Sequence, residues 1–138
     1  MNETGGKIEK GGVEMAHGIF GTAINCMDGR TQLPVNEFLR NRYNLDYVDT
    51  ITEPGPIKIL AENQAAVTSI QQRVKISVEG HGSRLIAIVA HYDCAGNPVS
   101  KEKQLEQLEA SLKTVRSWYS DVQCLGVWVD ENWQVTIV

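Results

Sequence analysis

The sequence predicts an α/β fold in which a mostly parallel β-sheet is flanked by helices and carries an antiparallel edge strand. Three observations carry this expectation. Short apolar, β-branched runs alternate along the chain with segments of helical periodicity, the order of strands joined by crossover helices. The C-terminal segment, Val122 to Val138, reads instead as a hairpin. With 138 residues, 42% of them hydrophobic, the chain can build one core but not two ordinary domains. A single domain over residues 16–138 is therefore expected, behind a flexible leader over residues 1–15 whose glycines and charges leave too little apolar surface to offset ordering entropy.

From His17 onward the elements follow in turn. Ile19, Phe20, Ala23 and Ile24 form an apolar run ending at Asn25 and Cys26, which suits a buried strand. The polar stretch Met27 to Gln32 follows, and Val35, Phe38 and Leu39 then predict a short helix over Pro34 to Tyr43, with Arg40 and Arg42 in its last turns. Tyr47 to Thr52 is a second strand, ended by Glu53-Pro54-Gly55-Pro56 because proline cannot donate to a ladder. Ile57, Leu60, Val67, Ile70, Val74 and Val78 recur at helical spacing, predicting a long helix that Gly80 ends, with a strand over Val74 to Val78 as the rival reading. Arg84 to Tyr92 is the strongest strand. Asn97 as N-cap and Pro98 at the first position predict a helix over Val99 to Tyr119, with Leu105, Leu108, Leu112, Val115 and Tyr119 facing the core. In the hairpin, Leu125, Val127 and Val129 alternate, Asp130-Glu131-Asn132 turn, and Trp133, Val135 and Ile137 alternate again.

Composition excludes several function classes. Thirteen basic against 17 acidic side chains give a net charge of −4, and no basic tract offers a footprint for nucleic acid. No apolar stretch approaches the roughly 20 residues that span a bilayer, so no membrane partner is expected. No secretory signal opens the chain, and its three cysteines are too sparse for a disulfide framework. A soluble cytoplasmic protein is the expectation, with thiols free for chemistry or metal.

Ligands of open parallel sheets collect outside the carboxyl ends of the strands. Two predicted strand ends carry metal-type side chains: Cys26-Met27-Asp28-Gly29-Arg30 and His91-Tyr92-Asp93-Cys94-Ala95-Gly96. Adjacent parallel strands lie about 4.8 Å apart, so if these two are neighbours, Cys26, His91 and Cys94 converge on one point. Two thiolates and an imidazole are a zinc donor set, and three protein ligands leave the fourth tetrahedral position open for catalysis. Zinc there lowers the pKa of water toward ~7 and so supplies hydroxide as nucleophile. Asp28 and Arg30 form a carboxylate and a guanidinium beside that position. Asp28 either accepts the proton of the metal-bound water and orients it, or turns in as a fourth ligand.

The pairing of C-x-D-x-R (Cys26, Asp28, Arg30) with H-x-x-C (His91, Cys94) resembles the β-class carbonic anhydrases. The resemblance implies a Rossmann-like parallel sheet with an antiparallel edge strand and Zn2+ held by Cys26, His91 and Cys94. It implies Asp28 and Arg30 as the catalytic dyad, and reversible hydration of carbon dioxide to bicarbonate. A small sheet with three tryptophans and an edge hairpin predicts a homodimer or higher homo-oligomer. Two other readings of the same site stay open: hydrolysis of carbonyl sulfide or carbon disulfide, and a catalytically silent zinc-binding relative with a partner-binding role. A redox thiol module is a poor fit, because the two motif cysteines are far apart in sequence and no C-x-x-C occurs. Cys124, inside a predicted strand, is assigned to core packing. His81 and His17 lack the motif support of a ligand; His81, between two glycines, is read as a solvated loop histidine rather than a proton shuttle, and Tyr92, Trp118, Trp128 and Trp133 as packing or oligomer-face residues.

Overall fold

A computed structural model of the chain describes residues 9–10, 13–14 and 17–138. The expected leader, residues 1–15, lies mostly outside the described residues; of it the structure describes β1 (Glu9–Lys10) and β2 (Val13–Glu14), paired antiparallel. The chain continues through β3 (Phe20–Cys26), α1 (Gly29–Tyr43), β4 (Tyr47–Glu53), α2 (Pro56–Ala61) and α3 (Val67–Lys75) with a π-helical turn (Ile76–Gly80). It ends with β5 (Leu85–His91), α4 (Lys101–Arg116), β6 (Gln123–Val129) and β7 (Val135–Ile137). One sheet has the order β4-β3-β5-β6-β7, parallel throughout except for β7, which pairs antiparallel with β6. The expected α/β sheet with an antiparallel edge is therefore the fold.

The sheet is sandwiched. All seven residues of β5 are buried, as a continuous apolar run requires of a strand covered on both faces. Leu85, Ala87 and Val89 pack with Val35 and Leu39 of α1, while Ile86, Ile88 and Ala90 pack with α2, α3 and α4. Alternation along one strand thus feeds two cores.

Three elements differ from the sequence reading. Helix α1 starts at Gly29, ahead of Pro34, because the Asp28 carboxylate accepts the Arg30 N–H at 2.9 Å and its carbonyl accepts the Thr31 hydroxyl at 2.8 Å. Pro34 is tolerated inside the helix, where it lacks the N–H that would reach the Arg30 carbonyl. The long helix expected from Ile57 to Val78 is split. Asn63 adopts φ +52°, the Asn63 N–H donates to the Leu60 carbonyl and the Gln64 N–H to the Ile59 carbonyl, which together close α2 with a Schellman motif. Helix α4 is capped by Ser100, whose hydroxyl accepts the Lys103 N–H at 3.1 Å, while Asn97 is buried and donates its amide to Gln107 at 2.7 Å. It ends at Arg116, short of Tyr119, where Ser117 and Trp118 tighten into i to i−3 bonds with Thr114 and Val115.

His81 also departs from its expected solvated role. Its Nδ1 lies 2.7 Å from the Asp49 carboxylate, which also accepts the Ser77 hydroxyl at 2.7 Å, and its ring stacks on Phe20 with centroids 4.2 Å apart. This cluster lies toward the start of β3, where Thr22 pairs with Asp49. Among the described residues, no helix is long and apolar enough to cross a membrane.

Candidate metal centre

Cys26 is the last residue of β3 and His91 the last of β5, and these strands are hydrogen-bonded neighbours in parallel register. Both chains run in the same direction, so both deliver their terminal side chains to one edge of the sheet. The loop after β5 then returns Cys94 to the same point, with Asp93 in the left-handed region at φ +58°. Cys26, His91 and Cys94 are all buried, and their donor atoms lie within 4.8 Å of one another. Among the described residues this is the group able to hold a metal ion.

The donor geometry fits zinc. The two sulfurs are 3.8 Å apart, and two ligands each ~2.3 Å from a tetrahedral zinc are separated by about 3.8 Å. His91 Nδ1 lies 2.7 Å from the Tyr92 carbonyl oxygen, which can only accept, so Nδ1 carries the proton and Nε2 keeps its lone pair. That Nε2 is buried without a hydrogen-bond partner. A buried acceptor orphaned beside two sulfurs is what a ligand nitrogen looks like before its metal is counted.

The main chain around the ligands is held from three directions. Gln104 of α4 donates its amide to the His91 carbonyl at 2.8 Å and accepts the His91 N–H at 3.3 Å, so one buried side chain secures both main-chain groups of the ligand. Gln32 of α1 donates to the Cys26 carbonyl at 2.7 Å and to that of Asp28 at 3.2 Å. The turns after β4 and β5 pack backbone against backbone. A Cβ on Gly55 would sit 2.8 Å from Asn97 Cβ, and one on Gly96 would sit 2.9 Å from the Pro54 carbonyl carbon. Gly55 also holds φ +59°, where a side chain is strained. The main-chain N–H groups of Gly55 and Asp28 favour the thiolate of Cys26, and those of Gly96 and Asn97 that of Cys94.

Titration of the two thiols is divided. The Cys94 S–H hydrogen bond, opposed by burial and reinforced by His91 and main-chain N–H groups, holds Cys26 far below the usual thiol range. The Cys26 thiolate and burial push Cys94 upward. Burial pushes His91 down, but the neighbouring Cys26 thiolate and the bond to the Tyr92 carbonyl outweigh this and raise it. This division favours one thiolate at Cys26, and a divalent cation held here would displace the remaining protons.

Beside the triangle lies the carboxylate and guanidinium pair expected from the sequence. Arg30 binds Asp28 bidentately, Nε to Oδ1 at 3.1 Å and NH2 to Oδ2 at 2.7 Å. This guanidinium lowers the Asp28 carboxyl to about 2. Arg30 also donates to the Asp93 carbonyl at 3.1 Å and to its carboxylate at 3.4 Å, and it stacks 4.5 Å from the centroid of Trp133. Cys124 stands apart, buried in β6 among the residues packed by α4, with its pKa raised by burial.

Gln104, Gln32, Gly55 and Trp133 were not anticipated as parts of the site. Gln104 and Gln107 carry a legible signal in retrospect, since both are polar on the face of α4 that turns to the core beside Leu108, Ser111, Leu112 and Val115. A polar residue on a buried face calls for a buried partner. Trp133 has no such signal, because its contact depends on where a hairpin folds.

Residues 16–138 match a family model described as "Putative carbonic anhydrase". No curated protein matches the sequence. Solved structures of similar fold include β-carbonic anhydrase isoform I from the protozoan Trichomonas vaginalis, with TM-score 0.59 and 14% identity over 84% of this chain and 80% of that chain. One of two tetrameric β-carbonic anhydrases from Sordaria macrospora aligns with TM-score 0.57 and 11% identity over 85% and 79%. A carbonic anhydrase from Streptococcus mutans aligns with TM-score 0.53 and 16% identity over 85% and 80%. At these identities the likeness establishes the fold.

Proposed function

Because the chain belongs to the family described as "Putative carbonic anhydrase" and carries the β-carbonic anhydrase fold, we propose that it is a zinc-dependent lyase that reversibly hydrates carbon dioxide to bicarbonate. The observation that carries this reading is the buried triangle of Cys26, His91 and Cys94 with its unpartnered Nε2, set beside a carboxylate already engaged by Arg30. Zinc bound by these three residues supplies a Lewis acid that turns water into a nucleophile at neutral pH. The other contributions come from the chain itself. Asp28, ionised throughout the physiological range, accepts a hydrogen bond from the attacking water and sets the direction of its lone pair. Arg30 occupies both oxygens of Asp28 and so favours an orienting role over direct ligation. Gln104 holds the His91 main chain in position, and the Tyr92 carbonyl keeps the tautomer that would present Nε2 to the metal.

The reading includes a homo-oligomer, supported by the tetrameric enzymes of similar fold, and a cytoplasmic location, supported by three unpaired thiols. Metal analysis of purified protein and stopped-flow hydration of carbon dioxide test it, with Cys26→Ser and Asp28→Asn as variants. One zinc per chain, lost in Cys26→Ser, and turnover that falls in Asp28→Asn are expected. Zinc retained by Cys26→Ser rejects the metal assignment, and turnover unchanged in Asp28→Asn removes Asp28 from the reaction. Hydrolysis of carbonyl sulfide without hydration of carbon dioxide reassigns the substrate.

A further inference from the structure

Arg30 is held in its own plane by acidic partners, but those contacts leave its flat faces open. Nε and NH2 engage Asp28, while NH2 and NH1 reach the carbonyl and carboxylate of Asp93. Trp133 covers one face, with its ring centroid 4.5 Å from the guanidinium carbon. The indole does not arrive there by default. Trp133 sits in the tight turn between β6 and β7 at φ +60°, a left-handed conformation that is costly for a bulky residue. Asp130 builds that turn: its carboxylate accepts the N–H groups of Asn132 at 2.8 Å and Gln134 at 2.9 Å, and its carbonyl accepts the Trp133 N–H at 2.9 Å. Val135 then enters the sheet opposite Val129, so the ring is tied to a hydrogen-bonded edge.

We propose that Trp133 is a positioning residue of the candidate active site: the β6–β7 turn holds its indole on Arg30, and this clamp keeps Arg30 aligned with Asp28. The physical basis is cation–π attraction together with exclusion of water from one guanidinium face, which stiffens the bidentate pair beneath it. Trp133 reaches the site through Arg30. The kinetic part of the proposal rests on the carbonic anhydrase reading above; the structural part does not.

The test uses the 138-residue chain with Trp133→Leu and Trp133→Phe, each checked for unchanged circular dichroism and zinc content. Loss of about 1 kcal/mol of cation–π attraction corresponds to about a fivefold fall, so kcat for carbon dioxide hydration drops about fivefold in Trp133→Leu with KM unchanged. Trp133→Phe, which restores an aromatic face, recovers most of it. Nitrogen-15 spectra of the Arg30 Nε–H supply the readout independent of turnover. The signal is displaced by the ring and protected from exchange in the wild type and in Trp133→Phe, and it moves and exchanges faster in Trp133→Leu. The proposal is overturned if that signal is the same in the wild type and Trp133→Leu, or if both variants lose kcat equally. Absence of hydration in the wild type rejects the functional reading, and the Nε–H comparison then decides the clamp by itself.

Discussion

Replacing Gln104 by leucine isolates what the buried amide does for the candidate metal centre. The side chain is 3% exposed and satisfies both main-chain groups of His91. Leucine keeps the volume but leaves a buried N–H and a buried C=O without this partner, at about 1–3 kcal/mol each if neither relaxes. Because the 3.3 Å bond is the weaker of the two, a total near ~3 kcal/mol is expected, against a typical domain stability of roughly 5–15 kcal/mol. Urea denaturation of the metal-free protein measures that loss directly. The zinc-loaded protein loses more, since a ligand displaced from its position weakens metal affinity by about 10–100-fold, or roughly 1.4–2.7 kcal/mol at saturating metal. Two denaturation curves, with and without zinc, therefore separate the hydrogen bonds from their effect on the metal. A loss below about 0.5 kcal/mol in the metal-free protein, within the range of an ordinary surface substitution, refutes the reasoning.

Three further outcomes are expected. Zinc affinity falls as pH drops, because Cys94 and His91, both with raised pKa values, must lose protons to bind it; the dependence is about tenfold per pH unit for each proton displaced, read by competition with a chromogenic chelator, and an affinity flat across the neutral range contradicts it. Arg30→Gln releases Asp28 from about 2 toward the usual carboxylate range, followed by carboxyl carbon shifts. The sign follows from the lowered native pKa: the pair stabilises the fold above the unfolded carboxyl value near 4 and loses this as pH falls toward 2, so the variant flattens acid sensitivity in that window. Gly55→Ala places a Cβ 2.8 Å from that of Asn97 at φ +59°, and a destabilisation of about 1–3 kcal/mol in thermal or urea unfolding is expected; a neutral result shows that the turn yields.

How much of this was legible beforehand follows the range of the interactions involved. β3 and β5 stand out because a strand buried on both faces must be largely apolar, and β4, an edge strand with Ile51 as its one buried residue, because of its β-branched run; both constraints are written locally. The split between α2 and α3 was missed because Asn63 ends a helix through one residue's left-handed backbone, while the apolar spacing on either side of it stays in phase. The start of α1 was misplaced for a related reason: proline is favoured in a first turn, yet the Asp28 cap outweighs it. Asn97 resembles an N-cap in sequence, but burial beside Gln107 recruits its amide elsewhere.

The sequence by itself determined the fold class, the candidate ligands and their neighbours Asp28 and Arg30, since residue chemistry and strand-end position both reside in short motifs. Tertiary structure decided which strands adjoin, and with them the convergence of Cys26, His91 and Cys94. It also decided that Gln104 reaches His91 from a helix 13 residues away and that Trp133 covers Arg30 from the far hairpin. Those contacts join residues that no local pattern relates, because they exist only after the sheet has ordered its strands and the helices have closed over it.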